Sequence, residues 1–251
     1  MNYYIHYIEL IATRYFMVAG IFFVLFYVLL HNRVFHKKIQ KKLPGIEDYV
    51  REIGFSIITM CIFAFVPLLI LHYPVITRHT TFYTSIGQYG WLYFFLAFPL
   101  MFIIHDTYFY WTHRLMHHKK LFTLFHLVHH RSTNPSPWAA YSFHPLEAVV
   151  EAGVFVVFLF TIPVHPLHLF LFFFFMIVYN VYGHLGYEIY PSGFNKHWFG
   201  KWVNTSTNHN QHHQYFKGNY GLYFTFWDRI MGTIRKDYDQ RYLEATRKIK
   251  R

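Results

Sequence analysis

The amino-acid sequence predicts an all-α protein, an integral-membrane helical bundle of about four to five spans with a histidine-rich helical cap on its cytosolic side. Three observations lead to this prediction. Of the 251 residues, 54% are hydrophobic, which is more than a water-soluble fold of this length readily buries. These residues occur in runs close to the roughly 20 residues that a helix needs to cross a bilayer. Many of the 20 histidines form clusters outside those runs.

Five apolar runs are candidate spans. The first is too long for the apolar part of a signal peptide and has no small-residue cleavage site after it, so we expect it to be retained. The last two are joined by Pro163-Val164-His165-Pro166 and are expected to form a tight hairpin. The five runs cover residues 8–31, 53–76, 90–111, 146–162 and 166–184.

The basic residues predict the orientation of the bundle. Of the 23 Lys and Arg, 21 fall in residues 31–52, 113–131 and 191–251, which an alternating five-span topology places on one side. The positive-inside rule makes that side cytoplasmic, in a bacterial inner membrane or the endoplasmic reticulum. Because the net charge of +11 is spread between apolar runs, nucleic acid is not an expected partner, whereas anionic lipid headgroups are.

Three histidine clusters have helical spacing, so each can present several imidazoles to one point. A single pair is as readily a solvated or hydrogen-bonded pair, but three clusters on one side of the membrane favour a metal site. Imidazole suits iron, zinc, copper and nickel, and eight such nitrogens exceed the needs of one tetrahedral ion. The sequence therefore predicts a dimetal site. The clusters are His113 with His117, then His126, His129 and His130, then His209, His212 and His213.

Further side chains are expected to complete or support this site. His184 ends the last apolar run and is the expected ninth ligand, while Asn180 on the same helix face either supports the site or bonds between helices. Ligating histidines donate their other N–H to a carboxylate or carbonyl. Asp106, on one helical stripe with His113, and Glu147, at the start of the fourth run, are the candidate acceptors. Glu147 also suits a helix N-terminus on its own account.

The order of these motifs resembles a known superfamily. Residues 106–117 read DTYFYWTHRLMH, and HLVHH, FHPLE and NHNQHH follow in that order. This is similar to the fatty acid hydroxylase and sterol desaturase superfamily over about residues 90–235. The tail NYGLYFTFWDRIMG, residues 219–232, is most similar to the sterol C5-desaturase branch. The resemblance implies that the nine histidines bind two iron ions (Fe2+). It also implies that residues 1–89 form N-terminal transmembrane helices and residues 90–251 a catalytic domain.

The same resemblance implies an O2-dependent oxidoreductase that hydroxylates or desaturates a membrane lipid, either a sterol or a fatty-acyl lipid. The sequence carries no glycine-rich dinucleotide fingerprint, so the electrons are expected from an external donor of the cytochrome b5 or ferredoxin type. The tail from Pro191 holds eleven Lys and Arg against four acids, which suits an acidic carrier or reflects positive-inside bias alone. A metal transporter and a b-type haem protein are the alternatives from other classes.

Overall fold

The structure is a computed structural model that describes residues 2–247, and within that range it contains helices and no strand. The predicted all-α fold is confirmed. Its α-helices are α1 Tyr3–Phe23, α2 His31–Val34, α3 Ile46–His72, α4 Pro74–Thr77, α5 Gly90–Met116, α6 Phe122–Phe125, α7 Leu127–His130, α8 Pro145–Thr161, α9 Pro166–Gly183, α10 Ser206–Tyr215, α11 Phe226–Ile230 and α12 Tyr238–Thr246.

In the described part of the chain, four helical stretches are long and apolar enough to cross a membrane. They are Tyr3–Leu29, in which α1 continues into a π-helical turn, Ile46–His72, Gly90–Met116 and Pro166–Gly183. The fourth predicted run is α8, whose 17 residues rise about 26 Å, slightly less than the roughly 30 Å hydrocarbon core. A loop of four residues joins it to α9, and Phe158 on α8 packs on Phe172 on α9 with ring centroids 5.1 Å apart, which agrees with the predicted hairpin.

Two long helices extend beyond the predicted runs. α3 begins at Ile46 because the carboxylate of Asp48 accepts the N–H of Gly45, 3.0 Å away, which caps the first turn. α5 continues to Met116 and therefore carries His113 in its last turn. The hydrophobic run ended earlier than the helix because the last turn faces a buried polar site instead of lipid.

Close packing holds α5 against α8 and fixes the relative positions of the groups at their ends. The hydroxyl of Tyr108 on α5 donates to the carbonyl of Val150 on α8, 2.7 Å away. A Cβ atom on Gly153 would overlap that hydroxyl, so the absence of a side chain there allows the approach. Phe109, Phe158 and neighbouring aromatic side chains fill the core between α5, α8 and α9.

The C-terminal ends of α5 and α9 and the N-terminal end of α8 lie at one end of the bundle, beneath a polar cap formed by residues 117–144 and 184–247. Buried carboxylates stabilise this cap by accepting hydrogen bonds from its backbone and side chains. Asp106 accepts the N–H groups of Tyr223 and Phe224 at 2.9 and 3.1 Å. Glu188 accepts both the N–H and the hydroxyl of Thr207, at 3.0 and 2.8 Å, and so holds the first turn of α10.

Candidate metal centre

The structure brings together all nine histidines that the sequence predicted as ligands. They form two groups, and within each group one nitrogen from every ring lies within 4.8 Å of the others. All are buried except His117, which is half-buried. We call the groups site A, comprising His113, His117, His126, His130 and His212, and site B, comprising His129, His184, His209 and His213.

Helical geometry divides the two HxxHH motifs between the sites. In residues 126–130 the first and last histidines belong to site A and His129 belongs to site B. In residues 209–213 the middle histidine, His212, belongs to site A, and the outer two belong to site B. Each motif therefore contributes to both sites, which places the two candidate metal positions side by side.

In site A the Nε2 atoms face one another. They lie 3.1 Å apart between His117 and His212, 3.0 Å apart between His130 and His212, and 3.1 Å apart between His130 and His117. His113 reaches the group from the end of α5, and His126 from the junction of α6 and α7. The Nε2 atoms of these two rings are buried and have no hydrogen-bond partner among the described residues.

Site B has the same arrangement with four rings. The Nε2 atom of His184, at the C-terminal end of α9, lies 3.3 Å from that of His129 and 3.1 Å from those of His209 and His213. His209 and His213 are one turn apart on α10, and their Nε2 atoms are 3.2 Å apart. α10 begins where the hydroxyl of Thr205 accepts the N–H of Asn208, 3.1 Å away.

The other ring nitrogens show that these sites suit cations. A backbone carbonyl only accepts hydrogen bonds, so a ring whose Nδ1 meets a carbonyl carries its proton there and leaves Nε2 as a bare lone pair. His184 and His129 are both of this type, and their lone pairs therefore face each other 3.3 Å apart. A bound metal ion would remove this repulsion. The Nδ1–carbonyl pairs are His113 with Tyr220, His129 with Ser142, His184 with Asn180 and His212 with Gly218, at 2.9, 3.3, 2.8 and 2.8 Å.

Burial keeps these rings neutral, which is the form that binds metal. Removal from water, and then the neighbouring His113, lowers the pKa of His117 to about 2. Burial lowers the pKa of His184 to about 4. The pKa values of the remaining ligand candidates in the cap lie well below the usual value for the same reason. With imidazole donors alone, the two sites fit ions such as iron, zinc, copper or nickel.

The three residues predicted to support the site differ in whether they make the expected contact. Glu147 meets His126 as expected, with Oε1 2.6 Å from Nδ1. The side chain of Asn180 takes the interhelical alternative, because its amide donates to the carbonyl of Ala140, 2.7 Å away. The contact with the Nδ1 of His184 is made by the backbone carbonyl of Asn180 and does not use this side chain. The expected contact of Asp106 with a ligand histidine is not made. Seven residues separate it from His113, about 10 Å along the helix, so its carboxylate binds backbone N–H groups of the cap instead.

Three other histidines near the motifs lie outside both sites. The Nδ1 of His105 is 3.0 Å from the hydroxyl of Tyr223, and His118 is exposed. His144 caps α8, because its Nδ1 accepts the N–H of Leu146, 3.3 Å away. The carbonyls of Ser142, Gly218 and Tyr220 were not predicted as partners, since a backbone acceptor has no sequence signal.

An apolar cavity of about 500 Å³ lies among α1, α3, α5, α8 and α9. At one end its wall includes Phe109, which packs on His113 with ring centroids 4.9 Å apart, and Phe143, which packs on His129 at 5.1 Å. At the other end it reaches Leu71 and Leu167. Along α9 the lining extends from Leu167 to Asn180, a distance of roughly 20 Å. The cavity therefore runs from the hydrophobic part of the bundle to the rings of Phe109 and Phe143, which separate it from the nine histidines.

The fatty acid hydroxylase family model matches residues 98–233, more than half of the chain, and this match includes both histidine sites. The chain belongs to the fatty acid hydroxylase family. With its four apolar helices, this family member is an integral membrane protein. Comparison with solved structures gave no significant match.

Curated relatives of this family member are named as sterol enzymes. The chain is 35% identical over 158 residues to a Delta(7)-sterol 5(6)-desaturase of Gibberella zeae, covering 62% of the chain and 47% of the relative. It is 33% identical over 174 residues to one of Aspergillus fumigatus, covering 61% and 52%. It is 28% identical over 187 residues to the lathosterol oxidase of Rattus norvegicus, covering 74% and 60%. The chain thus spans about half the length of these relatives.

Proposed function

We propose that this protein is an O2-dependent di-iron oxidoreductase that hydroxylates or desaturates a C–H bond of a membrane lipid, either a sterol or a fatty-acyl lipid. The observation that carries the proposal is the position of sites A and B, nine imidazoles in two adjacent groups at the inner end of an apolar cavity. Family membership and the names of the curated relatives support the same chemistry. In this proposal residues 90–251 form the catalytic domain.

Site A and site B would each hold one ferrous ion through Nε2 atoms. Two ferrous ions bound there supply the electrons that activate O2 for attack on an unactivated C–H bond. Hydrogen-bond acceptors of the protein hold the ligand histidines in the tautomer that binds metal. Glu147 and the four carbonyls hold the ring protons at Nδ1, so that Nε2 stays available. Phe109 and Phe143 exclude water from the side that faces the cavity.

The cavity suits the hydrocarbon part of a lipid. Its volume of about 500 Å³ lies within the range of roughly 300–1,000 Å³ that is usual for small-molecule sites. Its walls are mainly Phe, Leu, Ile and Val side chains from five helices. A lipid bound there would present its C–H bonds to the face of sites A and B that Phe109 and Phe143 border. Hydroxylation and desaturation both begin with removal of one hydrogen and differ in the following step.

An external carrier of the cytochrome b5 or ferredoxin type would supply electrons. An aromatic contact leads from site A toward the surface between His130 and Phe216, whose ring centroids are 4.9 Å apart. The exposed Lys217 follows directly, and Arg235 stacks on Tyr215 with its guanidinium carbon 4.0 Å from the ring centroid. These positive charges suit an acidic carrier.

We place the cap on the cytoplasmic side, in a bacterial inner membrane or the endoplasmic reticulum, because the basic segments 31–52, 113–131 and 191–247 lie at that end. A metal transporter is less favoured, since transporters bind their cargo near the bilayer midplane and these histidines lie at the ends of α5 and α9. A b-type haem protein is also less favoured, because haem needs single axial histidines and not groups of five and four.

Lipid mass spectrometry of cells with and without the protein tests the proposal. We expect a lipid that gains one oxygen or loses two hydrogens when the wild-type chain is present, and no change with His129→Ala. An unchanged lipid profile with an iron-loaded, correctly inserted wild-type protein and a matching electron donor contradicts the proposal.

A further inference from the structure

Arg14 is the one Lys or Arg between residues 3 and 29, in the middle of the first span. Its guanidinium carbon lies 4.3 Å from the centroid of the Phe170 ring on α9, and its side chain lines the apolar cavity. A charged group at membrane depth is costly, and such residues usually face a cavity or pair with a partner. Arg14 faces a cavity, so a polar partner for its side chain is expected there.

The guanidinium of Arg14 has unused donors. Its Nε and Nη2 atoms are buried and make no hydrogen bond to any described residue, and within residues 2–247 no carboxylate forms an ion pair with it. The ring of Phe170 attracts the charge from one face but accepts no hydrogen bond in the guanidinium plane. Arg14 therefore presents buried N–H groups that lack an acceptor.

Three other polar groups on the cavity wall have partners, and the hydroxyl of Tyr141, which also lines the cavity, is a single neutral donor. The hydroxyl of Tyr7 lies 2.9 Å from the Nε2 of His72, His105 meets Tyr223 at 3.0 Å, and the amide of Asn180 donates to Ala140. Glu151 lines the cavity from α8, but a carboxylate offers acceptors and not the donors that a lipid oxygen requires. Arg14 is thus the charged donor on the wall, and its two unpaired N–H positions fit an oxygen acceptor better than one neutral hydroxyl does.

The position of Arg14 also fits a lipid that enters from the bilayer. The nearby cavity-lining residues Leu167 and Phe170 on α9 are 46% and 48% exposed on the membrane-level surface. The wall beside Arg14 is therefore formed in part by side chains of α9 that are also exposed at the membrane-level surface, and we place the entry of the lipid there. An acceptor at Arg14 would lie just inside this entry, and the attached hydrocarbon would fill the apolar cavity toward Phe109 and Phe143.

We propose that Arg14 binds an oxygen atom at the polar end of the lipid substrate and so selects lipids that carry a carboxylate or hydroxyl group over pure hydrocarbons. This rests on the proposed function, since it assumes that the lipid in the cavity is the substrate. Both headgroups supply the same chemistry, an oxygen acceptor for the free Nε and Nη2 donors. Arg14 is in this sense a positioning residue that sets which end of the lipid stays away from the histidines.

Binding of fluorescent probes to the purified protein, without metal or O2, tests this assignment. The probes are a pyrene-labelled fatty acid, pyrene-labelled cholesterol and a pyrene-labelled alkane. We expect the wild type to bind at least one oxygen-bearing probe more tightly than the alkane. Arg14→Met should weaken binding of that probe about tenfold or more and leave alkane binding unchanged, whereas Arg14→Lys, which keeps a donor, should retain part of the affinity. The probe that loses affinity identifies the carboxylate or the hydroxyl as the group recognised.

Arg78→Met is the matched control, because Arg78 is exposed and lies outside the cavity lining. All variants must elute as single species and melt cooperatively. If Arg14→Met does not meet this requirement, the comparison of the wild type with Arg14→Lys provides the test. Equal affinity of wild type and a folded Arg14 variant for the oxygen-bearing probes overturns the role of Arg14 but leaves the proposed function standing. If no probe binds to the wild type, the lipid cavity itself is refuted, and with it both proposals.

Discussion

His126 Nδ1 lies 2.6 Å from Glu147 Oε1, and both side chains are almost completely buried. The contact joins the junction of α6 and α7 to the first turn of α8. Because the carboxylate accepts the proton on Nδ1, the Nε2 atom of His126 is directed into site A without a proton. A carboxylate in this position makes the imidazole a stronger ligand and fixes its orientation.

Glu147→Gln should lower metal affinity at site A by about 10- to 100-fold, since the amide oxygen still accepts the Nδ1–H but carries no charge. Site B should keep its metal, because His129 and His184 are held by backbone carbonyls and Glu147 bonds to His126 of site A. Competition between the purified protein and a graded series of chelators measures both affinities. Glu151→Gln is the matched control, because Glu151 lies one turn further along α8 and touches none of the nine histidines. Equal losses in the two variants contradict the specific role of Glu147.

The sequence predicted which histidines lie together, because helical spacing brings the histidines of an HxxHH motif to one region. It did not predict the division into sites A and B. That division depends on how α7 and α10 face each other, and nothing in residues 126–130 or 209–213 specifies their mutual rotation. The hydrophobic runs also located the spans, but the limits of α3 and α5 were missed by several residues. Their terminal turns are polar yet helical, since Asp48 caps one and His113 belongs to the other.

The contacts of Asp106 and His113 show a second limit of prediction from sequence. Asp106 and His113 lie on one helical stripe, which suggested a direct contact, yet side chains seven residues apart on a straight helix stay about 10 Å apart. The real acceptor for His113 is the carbonyl of Tyr220. Asp106 contributes indirectly by holding residues 223 and 224 of the same segment. Such a contact between distant backbone and side chain becomes visible only in the folded chain.

Lys38 gives a prediction about pH. Its side chain is buried between the aromatic rings of Tyr27 and Tyr187, and burial, with a smaller effect of Lys41, lowers its pKa from 10.5 to about 7. Between these two values the unfolded state binds more protons than the folded state, so this residue makes stability rise with pH. Thermal unfolding in detergent near about pH 7 and about pH 10 should show a larger increase in Tm for the wild type than for Lys38→Met. Identical pH dependence of the two proteins contradicts the prediction.

Charge reversal at the surface beside site A should impair electron supply. Lys217→Glu and Arg235→Glu should raise the KM for an acidic carrier and leave the affinity for lipid unchanged, because the charges lie on the cap next to Phe216 and not in the cavity. Steady-state turnover at varied carrier concentration and ionic strength measures the effect, which should shrink as salt increases. Lys196→Glu, an equally basic and exposed position in the tail, should behave like the wild type. A similar change at all three positions indicates a general effect of net charge instead of a docking surface.

Topology can be checked with the single native cysteine removed. In a Cys61→Ser background, Arg78→Cys and Lys236→Cys should react with a membrane-impermeant thiol reagent from opposite sides of sealed vesicles, since the loop 77–89 and the cap lie at opposite ends of the spans. Both positions are exposed, so access does not depend on local unfolding. Labelling of both from the same side contradicts the proposed orientation.

Sites A and B should bind one ion each and act as one unit. His212→Ala removes a ligand of site A, and His129→Ala removes one of site B. We expect each variant to fall from about two metal ions per chain to about one, because the other group of rings is intact. Elemental analysis of purified, membrane-inserted protein measures this directly. His118→Ala, next in sequence to His117 but exposed and outside both groups, should keep both ions.

Lipid oxidation should be lost in each of the two variants, and the double variant should lose nothing further. Residues that work as one unit fail together, so their effects on turnover are not additive. Insertion must be verified first, because loss of a buried metal site also costs folding stability. The two measurements distinguish loss of one metal ion from loss of the joint function, since metal content reports on each site alone whereas turnover reports on both sites together. A stably inserted His212→Ala protein that retains full turnover would show that site A is not needed for oxidation, and the di-iron proposal would then fail.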